Sequence, residues 1–521
     1  MPKRASSLLT ALLSAFALDA WAADAPTLYQ EHCAACHGGD RLGGLGPALL
    51  PENLGRLRPA AAEAVILQGR AATQMPGFAD KIGPDDAKAL AALIYKPLPA
   101  LPRWGKDEIE ASRVVHADLD KRPAKPKHGA DPLNLFVVVE SGDHHVTILD
   151  GDRFEPLTRF ESRYALHGGP KFSPDGRYVT FGSRDGWISK YDLHALELVV
   201  EVRAGINTRN IAMSGDGKWI AVANYLPHSV VLLDARDLSP VRIVEAKAAK
   251  SDKTSRVSAV YQAPPRKSFI VALKDLPEIW EISWDPDAPP VYSGLVHSHE
   301  KGMVEGIADD RGLFARRRIL TEEPLDDFMF DPGYRHVLGS SRDGAGATVV
   351  NLNVGKSIAK VPLEGLPHLG SGITWTAESG QRLLATTHLN RNKVSVIDMD
   401  AWSLVREIPT EGPGFFMRSH EGTPFAWVDG MLGPKRDAMQ VIDKRRFEVV
   451  ETLRPVPGKT VAHVEFDRYG RHALVSVWEM DGVLVIYDAA TFKEVKRLPM
   501  SKPSGKYNVY NKITFSEGTS H

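Results

Sequence analysis

The feature that most constrains this chain is a repeat of turns and strands running through its last three-quarters. Phe172-Ser173-Pro174-Asp175-Gly176-Arg177 leads into the apolar run Tyr178 to Phe181, then Trp187 to Tyr191 and Asp192. Ser214-Gly215-Asp216-Gly217-Lys218 leads likewise into Trp219 to Val222, then Ser229 to Leu233 and Asp234. Asp467-Arg468-Tyr469-Gly470-Arg471 leads into Ala473 to Val477, then Val483 to Tyr487 and Asp488. Similar starts occur at Asp331-Pro332-Gly333 and Glu378-Ser379-Gly380. Asp175 and Asp216 are 41 residues apart and Glu378 and Asp467 are 89 apart, one and then about two units of a propeller-like period of ~40–45 residues. Residues 133–521, at ~45–50 per unit, make seven or eight all-β blades. The apolar strand Leu135 to Val139 is expected to complete a blade with strands from the end of the chain.

The segment before the repeat has a different character. Cys33-Ala34-Ala35-Cys36-His37 is a C-x-x-C-H motif, and the chain contains only these two cysteines. Two thiols at that spacing can add to the two vinyl groups of one haem, leaving the adjacent imidazole of His37 for the iron. A zinc site would need a second pair of ligands, and no further cysteine exists to supply one. Ala25 to Cys36 can start as a helix, Ala60 to Leu67 reads as another, and Pro84 opens a third with Asp85 and Asp86 in its first turn. Leu90, Leu93 and Ile94 give that last helix an apolar face. Met75 lies in the Pro/Gly segment Gln74-Met75-Pro76-Gly77-Phe78, between the second and third helices. It is a candidate sixth iron ligand; the alternative is a buried Met that merely fills space. Residues 23–98 therefore read as a small all-α class I cytochrome c domain carrying covalent haem c.

Residues 1–22 have the pattern of an export signal: Lys3 and Arg4, an apolar run from Leu8 to Leu18, and Ala20-Trp21-Ala22. The run is shorter than the ~20 residues of a membrane span, so a periplasmic protein with its signal removed is expected. Residues 99–132, punctuated by Pro102, Pro123 and Pro126, read as a linker, helical in part over Asp107 to Ala117. The formal net charge of −1 and the absence of a basic block argue against nucleic acid as a partner.

A cytochrome c domain followed by an eight-bladed propeller resembles the family of cytochrome cd1 nitrite reductases and their dihydro-haem d1 dehydrogenase paralogues. Particular segments carry the likeness. Arg163-Tyr164-Ala165-Leu166-His167 is similar to the family segment whose His ligates haem d1 proximally, and Pro367-His368-Leu369-Gly370-Ser371-Gly372 to the loop bearing a distal His. Thr387-His388-Leu389, Phe415 to His420, Val475-Ser476-Val477-Trp478 and Lys506 to Asn511 match further family segments. In Val461-Ala462-His463 this chain has a His where the reductases tend to have Gln. That difference and the compact cytochrome favour the dehydrogenases; His388 points the other way, since the reductases use a pair of distal histidines.

The resemblance implies an oxidoreductase with non-covalent haem d1 or dihydro-haem d1, as substrate and product, in the propeller. It places His167 and His368 on the iron, Trp478 at the cofactor, His463 as the base that removes a proton from a propionate side chain, and Tyr507 beside it. Imidazole suits that base because its pKa lies near working pH. Haem d1 carries several carboxylates, for which Arg163, Arg209, Arg256 and Lys274 are candidate partners; each could equally be a solvated surface charge. Three readings stand at this point. The first takes the chain as the dehydrogenase completing haem d1 biosynthesis in denitrification, with electrons passing to the c haem and on to a soluble or membrane redox acceptor. The second takes it as a nitrite reductase forming nitric oxide, with His368 and His388 as proton donors. The third reading is a non-enzymatic protein that delivers haem d1 to a partner such as the cd1 nitrite reductase.

Overall fold

The computed structural model describes residues 24–518 apart from 45, 56, 71–74, 101, 293–307, 341–345 and 516. The expected signal segment, 1–22, lies outside them. Among the described residues no helix is long and apolar enough to cross a membrane.

Residues Ala25–Ile94 form a small helical unit. Helices Ala25–His32, Ala34–His37, Pro51–Leu54, Pro59–Gln68 and Pro84–Ile94 follow one another. Pro at the start of the longer helices costs nothing, because the first N–H groups have no partner within the helix. At the last one, Asp86 Oδ2 accepts the Gly83 N–H at 3.0 Å, so an acid caps the N-terminus. Leu90, Ala91 and Ile94 then pack on Leu28, Tyr29, Ala62 and Ile66. The helices expected from the sequence are all present.

The rest of the chain is a ring of eight sheets, each antiparallel and of four or five strands. Blade 1 takes its innermost strand, Pro503–Asn508, from the end of the chain, beside Leu135–Glu140, His145–Asp150 and Glu155–Glu161. Blades 2, 3 and 4 have their innermost strands at Lys171–Phe172, Asn207–Met213 and Val257–Ala263; those of blades 5 to 8 are Asp327–Phe330, Ile373–Thr376, Met417–Arg418 and Val461–Phe466.

One turn recurs and explains the period. In seven blades the third strand ends on Asp150, Asp192, Asp234, Asn351, Asp398, Asp443 or Asp488, whose side chain accepts backbone N–H groups just downstream. Four residues further on, Phe154, Leu196, Leu238, Gly355, Trp402, Phe447 or Phe492 has a positive φ, and the ladder slips by one residue at each of these hairpins. Glycine would be the easy choice for that conformation, and a large side chain there costs about 1–2 kcal/mol. Phe154, Leu238 and Trp402 nevertheless use it to bury their side chains, which returns roughly 1.5–3 kcal/mol each. Blade 4 departs from the rule: between its third and fourth strands the chain makes an excursion that includes the pair Val291–Tyr292 and Ala308–Asp310.

The linker is not a free spacer. Its helix is Lys106–Ala111, shorter than expected, because Val114–Val115 instead adds a strand to the outer edge of blade 2. Ile109 is fully buried, and the Trp104 indole N–H donates to Arg203 O at 2.8 Å. The helical unit itself lies on the face where the innermost strands begin. Arg203 Nη2 donates to Leu42 O at 2.6 Å, Asn207 Nδ2 to Glu52 O at 3.2 Å, and Asn53 Nδ2 to Ile206 O at 3.2 Å. Ala48 and Leu50 pack there on Ile206 and Leu226.

Ring closure rests on a buried amide cluster. Asn508 Nδ2 donates to Asn134 Oδ1 at 3.1 Å, the same oxygen accepts the Arg468 N–H from blade 8 at 3.0 Å, and Asn508 caps the helix Val509–Thr514. Asn508→Ala removes the cap and one amide partner, so it should cost about 1–3 kcal/mol of stability. Thermal unfolding of wild type and variant checks this; an unchanged midpoint would contradict the closure role.

Candidate functional site

Three candidate ligand histidines share one arrangement, which His145 also makes locally with its Nδ1 2.9 Å from Asp143 O. His37 Nδ1 lies 2.8 Å from Pro47 O, His167 Nδ1 2.8 Å from Arg209 O, and His368 Nδ1 2.7 Å from Phe415 O. A carbonyl only accepts, so Nδ1 carries the proton in each and Nε2 presents a lone pair. A backbone carbonyl holding the far nitrogen is how proteins orient a histidine that ligates a metal. His37 sits buried beside the free thiols of Cys33 and Cys36, so the donor set fits covalent haem c. Met75 follows in the chain, half-buried, its carbonyl accepting the Arg70 N–H at 3.1 Å.

His167 and His368 stand on the loops leading to the innermost strands of blades 2 and 6, on the face where the helical unit docks. The Nε2 of His167 is met by two guanidinium groups, Arg184 Nη2 and Arg209 Nη1, each at 3.1 Å. His368 packs on Phe415 with ring centres 4.3 Å apart, and burial holds its pKa below the ordinary imidazole value.

His463 differs from all of these. It interrupts the innermost strand of blade 8 with φ 55°, and the ladder skips it between Ala462 and Val464. A left-handed non-glycine residue stores on the order of 1–3 kcal/mol, and this one, unlike those of the hairpins, falls inside an innermost strand. The bulge turns a side chain that would have packed between blades toward its aromatic neighbours. Its ring is fully buried, 4.8 Å from the ring of Phe416 and 5.2 Å from that of Tyr507. Among the described residues neither ring nitrogen has a hydrogen-bond partner. Burial first, then the charges of Lys506, Arg418 and Lys512, push its pKa well below the ordinary value. The ring is therefore neutral near pH 7, a base with an open lone pair. Tyr507, held by blade 1, has its phenol pushed up to about 12, mainly by burial, and stays a protonated donor. Gly505 leaves room for it, since a Cβ there would collide with the Tyr507 hydroxyl.

The surroundings are cationic. Arg418 and Lys506 are buried and Lys171 and Lys512 half-buried, and loss of solvent depresses the pKa of each. Lys506 Nζ donates to His463 O at 2.6 Å and Ser476 Oγ at 2.7 Å. Of the cations expected from the sequence, Arg209 lies against His167. Arg163 is paired with Glu201 at 2.6 Å and covers Trp187. Arg256 holds Asp275 at 2.6 Å, and Lys274 pairs with Asp326; both lie within 6 Å of the Tyr225 ring, as does Arg184. Trp478 reaches from blade 8 to blade 1, donating to Ser141 Oγ at 3.1 Å under Lys502. His388 turns into its own blade, where its Nε2 is 2.8 Å from Ser395 Oγ. Arg184 and Asp429 were not singled out by sequence, and Arg418 and Lys506 only as members of matching segments, because a charge that the fold turns inward looks the same in sequence as a surface one.

Burial drives the pKa of His388 down to about 4, so the fold binds its neutral form. Its unfolded value lies near 6.5. This stabilisation is complete above pH 6.5 and is lost as pH falls toward 4, by at most about 1.4 kcal/mol per pH unit for this residue. Denaturant unfolding of the protein at pH 7 and pH 5 checks the sign; equal stabilities would contradict it.

Comparison with known proteins bears on what this site holds. The family described as Cytochrome D1 heme domain matches residues 130–301 and 303–512. The family described as Cytochrome C oxidase, cbb3-type, subunit III matches residues 20–94. The chain is 55% identical over 504 residues to a dihydro-heme d1 dehydrogenase of Pseudomonas aeruginosa, covering 96% of this chain and 97% of that one. It is 31% identical over 385 residues to protein NirF of the same organism, covering 71% and 90%. It is 24% identical over 541 residues to a nitrite reductase of Stutzerimonas stutzeri, covering 93% and 92%. A solved structure described as dihydro-heme d1 dehydrogenase NirN in complex with DHE superposes with a TM-score of 0.87 at 55% identity, covering 94% of this chain and all of that one.

Proposed function

We infer that this chain, which belongs to the Cytochrome D1 heme domain family, is a dihydro-haem d1 dehydrogenase. The substrate's –CH2–CH2–COO⁻ side chain becomes –CH=CH–COO⁻, with release of two protons and two electrons. The observation that carries the reading is His463, a neutral, unpartnered imidazole buried beside Tyr507 and Phe416. Such a group can take a proton from carbon only if nothing else occupies its lone pair; desolvation keeps it unprotonated near pH 7, with the lower basicity that follows from a pKa held well below the value near working pH expected from the sequence. Tyr507 supplies a protonated hydroxyl next to it. His368, and His167 once its Nε2 is released from Arg184 and Arg209, would hold the tetrapyrrole iron through Nε2, each fixed by its backbone carbonyl. Arg209 and Arg184, at His167, with Lys171, Arg418 and Lys512, offset the negative charge that several carboxylates bring into a water-poor site. Arg163, Arg256, Lys274 and Trp478 are assigned to the rim, where an incoming carboxylate would exchange with Glu201, Asp275 or Asp326.

Haem c, on Cys33, Cys36 and His37 with Met75 as the proposed sixth ligand, supplies the one-electron outlet. The helical unit docks beside the loop bearing His167, and Arg70 Nη1 reaches Tyr164 Oη at 3.0 Å across that contact. Electrons are then taken by a soluble or membrane acceptor, and the product passes to the cd1 nitrite reductase. Export to the periplasm follows the signal-like pattern of residues 1–22. The nitrite-reductase reading needs His388 as a second distal acid; its ring is instead engaged by Ser395 within the blade.

His463→Ala should bind dihydro-haem d1 within about threefold of the wild-type affinity yet lose turnover by roughly 10²–10⁴, the usual contribution of a positioned base. Anaerobic mixing, with the mass of the bound tetrapyrrole as readout, checks this. Wild-type turnover by the variant would remove His463 from the role. Binding without any mass change in the wild type would leave a delivery protein instead.

A further inference from the structure

We propose that Asp429, on the second strand of blade 7, is the positioning residue that sets the geometry of both His463 and His368. The proposal rests on the dehydrogenase reading for its catalytic consequence and on the structure alone for its geometry. Asp429 is fully buried, and no cation is within ion-pair distance among the described residues. Its carboxylate is occupied by backbone N–H groups from two blades. Oδ1 accepts from Phe415 at 2.7 Å; Oδ2 accepts from Phe416 at 3.2 Å and from His463 at 3.0 Å.

These three amides are the ones on which the site turns. The His463 N–H belongs to the left-handed bulge that the ladder skips, so it has lost its strand partner. Unpaired and buried, it would oppose the bulge; paired with Asp429, it stabilises it. The Phe415 peptide has its N–H on Asp429 and donates nothing else, while Phe415 O accepts His368 Nδ1–H at 2.7 Å and Ser371 Oγ–H at 2.5 Å. One carboxylate thus holds the base directly and the distal histidine through one residue. Phe416, whose N–H it also holds, places its ring against both imidazoles, at 4.8 Å from His463 and 6.4 Å from His368. Gly414 packs so closely that a Cβ there would meet Asp429 O at 2.8 Å.

A neutral amide at this position can accept at one atom only and turns an N–H toward N–H donors. Asp429→Asn should therefore release at least one of the three amides. The measurement combines hydrogen exchange on the full chain with single-turnover oxidation of dihydro-haem d1. Exchange should accelerate in peptides covering 413–417 and 461–465, with the other blades unchanged, and the single-turnover rate should fall by about tenfold or more at near-constant substrate affinity. Asp429→Asn in the His463→Ala background should add little further loss, because the aspartate acts through that residue. Unchanged exchange would overturn the geometric claim whatever the activity. Faster exchange with wild-type turnover, or losses that multiply in the double variant, would overturn the positioning role. If the wild type itself does not oxidise dihydro-haem d1, the dehydrogenase reading fails; exchange still decides the geometric claim, and the positioning role falls with that reading.

Discussion

The closing of the ring by Pro503–Asn508 against Leu135–Glu140 is the contact on which the rest depends. A strand from the end of the chain completes the first blade and so joins the two ends of the ring. The same strand carries Lys506 and Tyr507 in succession. Alternation sends them to opposite faces: Lys506 ties His463 O and Ser476 between blades, and Tyr507 lies beside the His463 ring. Closure and site assembly are therefore one event. A chain that failed to close would lack the partner of its base as well as the innermost strand of its first blade.

The site itself is built from departures from strand regularity. His463 sits where the ladder skips a residue, and His167 and His368 stand on the loops that feed the innermost strands. Regular strands would have pointed these side chains between blades. The chain tolerates such departures because the seven repeated hairpins, each with its own side-chain acceptor and left-handed residue, specify the blades locally. The inner face is free to be irregular where chemistry requires it.

Much of this was legible in the sequence. The turn motifs and their spacing set the propeller, and the strand ends at Asp192, Asp234 and Asp488 marked the hairpins that the structure shows. Cys33, Cys36 and His37 identified the helical unit, whose helices fall close to their expected positions. His167, His368, His463 and Tyr507 were picked out by resemblance, since a histidine in a strand carries no local signature of its role. What could not be read were the partners. Asp429, Arg418 and Lys506 look like ordinary charged residues until the fold buries them. The ion pairs that occupy Arg163, Arg256 and Lys274 involve carboxylates up to 52 residues away. Val114–Val115 read as the end of a helix because only the distant edge of blade 2 makes it a strand.

The central claim is that a neutral, buried imidazole takes a proton from carbon while the electrons leave through the helical unit. The most direct measurement follows both in one anaerobic reaction of the wild-type protein with dihydro-haem d1 and a chemical one-electron acceptor. The account predicts a bound tetrapyrrole lighter by two hydrogens, with two equivalents of acceptor reduced per molecule converted and haem c cycling between them. Conversion that proceeds at the same rate in a protein lacking haem c, or acceptor reduction with no change in tetrapyrrole mass, would contradict it.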